Sequence, residues 1–273
     1  MPRHPIAELI RSGSLSPGNP TRTVAVWRET VDPASFITAV EIRQKLDVGL
    51  LRWPYVAFQR DGHEIPASEY TEKRQCVGVT RDGFVKPAAA RTLLEEGATV
   101  ELRRLADWHR PTRTLAADIQ ESAPIAVSVC ALLHGPRRPE ASTRSGRDAA
   151  ATIMVQLHGE QRWHIDAPQR ETTTLSPGDV LYLPARHTGT TSTPDEASLH
   201  VAVELIAPAP DDFVAALRQH FVDTNPDLIA QYHLVPSAMR SAAVRDRLLA
   251  SLRELPEDAW QSQALALTRK RTG

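Results

Sequence analysis

The sequence predicts a mainly β protein, a sandwich or barrel of short strands with an α/β region before it and helices after it. Three stretches carry that expectation. Residues 155–165 are two apolar runs hinged at Gly159. In the second run Gln161, Trp163 and Ile165 share one face while Arg162, His164 and Asp166 share the other, the period-two pattern of a strand. Ser176-Pro177-Gly178-Asp179 is a turn that feeds the apolar strand at 180–184, and residues 198–205 form a further strand after a Thr/Ser-rich loop. Short strands joined by turns at this spacing read as a sandwich or barrel.

The elements before and after this core follow from local chemistry. Residues 1–22, rich in Pro, Ser, Gly and Arg, are expected to form a flexible arm. The β-rich domain spans residues 23–208. It opens with a strand at 24–27, a helix start at Asp32-Pro33 and a strand over 50–58 that turns at Arg60-Asp61-Gly62. A helix at 87–96, with Ala88, Leu93 and Leu94 as its apolar stripe, stops at Gly97. A strand at 98–102, a helix at 112–120 and an apolar strand at 125–133 come next. Residues 134–147 are polar, cationic and full of helix and strand breakers, which reads as a surface loop or as a mouth loop for an anionic or peptidic ligand.

Residues 209–273 are helical. Phe213, Val214, Leu217 and Phe221 recur at helical spacing over 211–224, and Val244, Leu248, Leu249 and Leu252 over 239–255. A short amphipathic stretch at 260–267 precedes Arg269-Lys270-Arg271, cations suited to a helix C-terminus. These stripes are expected to be core or dimer contacts.

Composition narrows the function classes. The chain of 273 residues can bury one substantial core and a small appendage. A formal charge of -1 offers no global field for nucleic acid or an anionic membrane, and no DNA-reading helix is recognisable. There is no apolar run of membrane-spanning length and no signal-peptide core, so a cytoplasmic location is expected. Cys76 and Cys130 form no CxxC and read as buried free thiols. Only four of the 32 basic residues are lysines, which with abundant Ala, Pro and Thr suggests a GC-rich bacterial genome.

From about residue 50 onward the chain resembles the bacterial cupin-like JmjC proteins, the group that contains ribosomal-protein hydroxylases. Five pieces in one order carry the resemblance: Arg60-Asp61-Gly62, residues 96–100, the run from Val155 to Trp163, Pro177 to Pro184, and Ser198-Leu199-His200. It implies a double-stranded β-helix (cupin or jelly-roll) core with N-terminal α/β decoration and a C-terminal helical segment. It also implies Fe(II)/2-oxoglutarate oxygenase chemistry and a homodimer formed through the C-terminal helices.

In that family two imidazoles and a carboxylate hold iron(II) on one octahedral face, leaving positions for the co-substrate and O2. The family register puts the first two ligands at Gly146 and Asp148, the second histidine at Gly189, and the lysine that pairs with the far carboxylate of 2-oxoglutarate at Gln161. The carboxylate is kept; both imidazoles and the cation are not. A buried anion without a cation is costly. The two glycines are expected to leave room where rings would sit, with Tyr182 among the pocket residues. His187 and Asp148 are the residual metal candidates, with His134 or His200 as further partners, whereas His158 and His164 read as surface residues.

Three functions follow. The first is a catalytically degenerate scaffold or binding module, without metal, for a peptide, a small molecule or a partner protein. The second is an Fe(II)/2-oxoglutarate hydroxylase with a displaced ligand set, and the third a metal-free enzyme in a reshaped cavity using Arg147, Asp148, Tyr182 and His187. On this register, Gly146→His, Gly189→His and Gln161→Lys together are expected to restore metal binding.

Overall fold

A computed structural model describes residues 4–15, 23–136, 141–144, 149–166, 171–185, 187–193, 196–231 and 239–272. Helix α1 (Pro5–Arg11) starts at His4, whose side chain accepts from the Ile6 amide, and it buries Ile6, Ala7 and Ile10. This corrects the flexible arm expected over residues 1–22 in its described part, residues 4–15. The three apolar side chains make one helical stripe, and Pro5 sits in the first turn, where its missing N–H costs nothing. Residues 16–22 lie outside the described residues.

Strand β1 (Ala25–Trp27) is followed by a single 3-10 turn, Pro33–Ser35, at the position of the expected helix start. Helix α2 (Ala39–Val48) begins instead after Thr38, whose Oγ1 accepts from the Glu41 amide. Strand β2 (Val56–Arg60) starts later than the sequence suggests, since Pro54 has no N–H to give a ladder. It hairpins into β3 (His63–Glu64). Helix α3 (Ala67–Tyr70) leads to a ribbon of β4 (Thr71–Cys76) and β5 (Val79–Val85), polar strands that the sequence reading leaves unassigned.

Helix α4 (Pro87–Glu95), β6 (Thr99–Leu102), α5 (Leu105–Trp108), α6 (Arg110–Ser122) and β7 (Ala126–His134) complete the first half. Strand β8 (Ala141–Arg144) interrupts the stretch expected to be all loop. The core strands follow: β9 (Ala149–His158), β10 (Gln161–Asp166), β11 (Glu171–Leu175), β12 (Val180–Pro184), β13 (Thr188–Ser192) and β14 (Ser198–Ile206). Helices α7 (Pro210–Thr224), α8 (Pro226–Gln231), α9 (Arg240–Glu254) and α10 (Glu257–Thr272) end the described chain. The last is far longer than the expected turn or two.

Two antiparallel sheets face each other. The larger runs β1-β12-β9-β14-β7-β6-β2-β3 and the smaller β11-β10-β13-β8. The pleat sorts the larger sheet's side chains into two cores. Ile153, Val155, Val180, Tyr182, Val201 and Val203 pack on the helix side with Ile6, Ile42 and Leu115. Met154, Leu181, Leu183 and Ala202 face the smaller sheet and meet Trp163, Ile165 and Leu175 in the barrel lumen. Because β9 is buried on both faces, it reads as the continuous apolar run that opens the central motif.

The turns between core strands are fixed by side chains. Gln156 Nε2 donates to the carbonyls of His158 and Gly159 at 2.8 and 2.9 Å and to Ser198 Oγ at 2.8 Å, bracing the β9–β10 turn. Gly159 has φ +62°, and a Cβ there would run into the Ala197 carbonyl oxygen, so only glycine fits. At the other turn, the Asp179 carboxylate accepts from the Ser176 and Glu29 amides and from Arg28 Nη1 at 2.5 Å. Burial pushes that carboxyl up, but these hydrogen bonds outweigh it and hold it below the usual carboxylate range.

A second buried carboxylate ties the C-terminal helices together. Asp212 accepts from the Ala209 amide at 2.9 Å, capping α7, and from Thr268 Oγ1 and Arg271 Nη2 of α10 at 2.9 and 3.1 Å. Burial raises its pKa and these contacts, together stronger, lower it. Outward, Val214, Leu248, Leu249 and Leu252 are exposed.

Candidate functional site

The lumen is built by alternation. On β10, Gln161, Trp163 and Ile165 point inward and are buried, while Arg162 and Asp166 are exposed. Strand β10 is hydrogen-bonded on both sides, to β11 and to β13, which fixes where these side chains sit. Gln161 has no exposed surface, and neither its amide nitrogen nor its amide oxygen has a hydrogen-bond partner among the described residues. Arg162 pairs with Ser192, so Gln161 and Thr193 are the next cross-strand neighbours. Thr193 Oγ1 and Trp163 Nε1 are also buried without a partner among the described residues. Polar groups buried this way each cost about 1–3 kcal/mol. Their concentration on one lumen face is therefore the least stable feature of an otherwise apolar core.

Two histidines meet in the same interior. His134, at the end of β7, and His200, on β14, are both buried. Thr99 Oγ1 lies 2.8 Å from His134 Nδ1, and His134 Nε2 lies 3.3 Å from His200 Nδ1. The Trp163 indole meets the His200 ring edge-on at 5.9 Å between centroids. Both His134 nitrogens are thus engaged within the protein. The sequence names these histidines as further metal candidates; their pairing with each other requires the β7–β14 register, which no local pattern encodes.

The other expected site residues separate. Tyr182 is a correction: it lies on the helix side of β12 with Val180, not on the lumen face of Leu181 and Leu183. Gly189 faces Ile165 across β10, and a Cβ on it would come within 2.6 Å of the His164 carbonyl oxygen. The room expected at this glycine is therefore filled by strand β10. His187 turns its Nδ1 onto the carbonyls of Pro184 and Ala185 at 3.2 and 3.3 Å. Gly146, Arg147 and Asp148 lie outside the described residues. As the sequence suggests, His158 is exposed and His164 is partly so. A cavity of about 530 Å³ opens between α2, α4 and the end of β7, lined by Arg43, Leu46, Arg91, Leu94 and His134, and contains none of Gln161, Tyr182, His187 or Gly189.

Comparison with solved structures decides the architecture. The ribosomal oxygenase YcfD from Escherichia coli, in complex with cobalt and 2-oxoglutarate, superposes with a TM-score of 0.55 at 16% identity over 89% of this chain. Its complex with cobalt and succinic acid gives 0.54 at 16% identity over 89%. The chain has the cupin-like JmjC fold. It spans only about two thirds of those structures, 67% and 66% of their respective lengths. No protein-family model and no curated protein matches the sequence.

YcfD is seen with cobalt and 2-oxoglutarate, and the described residues of this chain do not supply a comparable donor set. Among the described residues no three His, Cys, Asp or Glu side chains gather where they could hold a metal. Gly189 has neither a ring nor space for one. At the position expected from the resemblance to hold the co-substrate's cation, Gln161 has a neutral amide, which can hydrogen-bond a carboxylate but supplies no charge. No helix among the described residues is long and apolar enough to cross a membrane.

Proposed function

We propose that this protein is a ligand-binding barrel: a cupin-like JmjC fold in which the lumen holds a small molecule, or a side chain of a peptide or partner, without iron chemistry. One observation carries the reading. Gln161, fully buried and rigidly held, leaves both amide atoms unsatisfied among the described residues. A site that had merely decayed has no reason to keep a polar side chain there, since an apolar one of the same length avoids the desolvation cost. A bound group that pairs with the amide repays it. Fold alone assigns no activity, and the reading rests on the site.

A second reading is a hydroxylase with a displaced ligand set. It draws support from the approach of His134 to His200, two imidazoles within one lumen. To serve as ligands they must exchange their mutual hydrogen bond, and the Thr99 contact of His134, for metal coordination. The two readings separate in one assay, conversion of 2-oxoglutarate to succinate by the purified protein with Fe(II), ascorbate and O2. The binding-barrel reading expects no succinate above the Fe(II)-only background. Catalytic turnover would establish the hydroxylase instead.

A further inference from the structure

We propose that the cleft between α2 and α4 is a separate binding site, one that takes a zwitterionic α-amino acid with an apolar side chain. It lies apart from the lumen and does not depend on the binding-barrel reading, since neither Gln161 nor Thr193 lines it.

The two helices run antiparallel and diverge. They come together where α2 ends and α4 begins: a Cβ on Gly49 would lie 3.2 Å from Pro87 Cγ. One rung further along, Arg91 Nη2 donates to Asp47 Oδ1 at 3.0 Å. The next rung, one helical turn on along each helix, would join Arg43 to Glu95. It is left open. Both side chains are exposed, and neither has an ion-pair or hydrogen-bond partner among the described residues, although their charges are opposite and both line the same cavity. The space that parts them is that cavity of about 530 Å³, within the range of small-molecule pockets.

The lining selects the ligand. Leu46, Leu94, Leu133 and Pro136 make the walls apolar. The His134 ring completes them with its nitrogens turned to Thr99 Oγ1 at 2.8 Å and His200 Nδ1 at 3.3 Å. Asp47 and Arg91 satisfy each other, which leaves one cation and one anion at the mouth. An anionic ligand drawn to Arg43 would be repelled by Glu95, and a cationic one drawn to Glu95 would be repelled by Arg43. A single charge therefore loses at one group what it gains at the other. A ligand with a carboxylate and an ammonium on one carbon gains at both. Its carboxylate accepts from the planar Arg43 guanidinium, and its ammonium donates to the Glu95 carboxylate. The apolar side chain then leaves water for the leucine walls.

The test uses the full chain at neutral pH and three probes that share a phenyl group: phenylalanine, a zwitterion; 3-phenylpropanoate, an anion; and 2-phenylethylammonium, a cation. Titrations followed by saturation-transfer NMR read the relative affinities. Phenylalanine is expected to bind most tightly. Arg43→Gln and Glu95→Gln are each expected to weaken it about fivefold, as suits a partly exposed ion pair. Neither side chain has a partner to lose among the described residues, so both variants should fold, which melting curves check. Arg43→Glu is expected to turn the preference towards 2-phenylethylammonium, and Glu95→Arg towards 3-phenylpropanoate. No transfer to phenylalanine, a singly charged probe that binds the wild type as tightly, or a phenylalanine affinity unchanged in either glutamine variant overturns the assignment.

Discussion

Replacing Gln161 by methionine should make the ligand-free protein more stable, the reverse of what most core substitutions do. The side chain has no exposed surface, and both amide atoms lack partners among the described residues. Each such atom costs about 1–3 kcal/mol. Methionine has nearly the same length and adapts to irregular apolar space, with Leu175 directly across the ladder. Halving the total for the two atoms, to allow for imperfect packing, leaves an expected gain of about 1–3 kcal/mol. For a chain of this size that corresponds to a rise in Tm of roughly 2–10 °C. Urea denaturation at constant m, alongside a thermal scan without added ligand, measures it. A loss of about 1 kcal/mol or more would show that the amide is already satisfied, and the argument for a ligand at Gln161 would go with it.

Other perturbations test the frame around the site. Gly189→His, alone or with Gly146→His and Gln161→Lys, should fail to create a metal site and should lower Tm, because its Cβ would meet the His164 carbonyl at 2.6 Å and spread β10 from β13; Co(II) absorption spectra and melting curves check both. Asp179→Asn should cost about 1.5–3 kcal/mol at neutral pH by weakening the contacts with Arg28, Glu29 and Ser176. Because the folded-state pKa of Asp179 is depressed, its contribution is complete above the unfolded value near 3.9 and disappears as pH falls through the folded value, so the variant should show a shallower loss of Tm between about pH 5 and pH 2. Asp212→Ala should release α10 first, seen as faster amide exchange in Glu257–Thr272 than in β14. If the exposed Leu248, Leu249 and Leu252 of α9 form a homodimer contact, Leu249→Glu should convert a dimer to a monomer in sedimentation velocity; a wild-type chain that sediments as a monomer removes that proposal.

What could be read in advance follows from the range of the forces involved. Strands β9, β10, β12 and β14 are legible because each is a short apolar or alternating run ended by glycine, proline or a turn. Helix α1 was obscured by the Pro, Ser, Gly and Arg around it, although Ile6 and Ile10 already stand one helical turn apart. Strand β4 is almost wholly polar and β5 has its apolar residues only at its ends, Val79 and Phe84-Val85, so neither shows the alternation that marks a strand. Parity correctly put Gln161, Trp163 and Ile165 on one face. It could not reveal that Tyr182 faces the helices, because β12 is apolar on both sides. The filled space at Gly189 was likewise hidden, since the obstacle is the backbone of another strand. The Gln161–Thr193 neighbourhood depends on the β10–β13 register, and the histidine pair on the β7–β14 register. Such cross-strand facts have no local signature.

The fate of iron(II) separates a metal-free binding barrel from an oxygenase. Equilibrium dialysis under anaerobic conditions, with and without 2-oxoglutarate, followed by metal analysis of the protein fraction, reads it. Weak, substoichiometric iron that 2-oxoglutarate does not increase is expected, because the neutral Gln161 gives the co-substrate no cation to bind. One tightly held ion per chain, retained more strongly when 2-oxoglutarate is present, would contradict it.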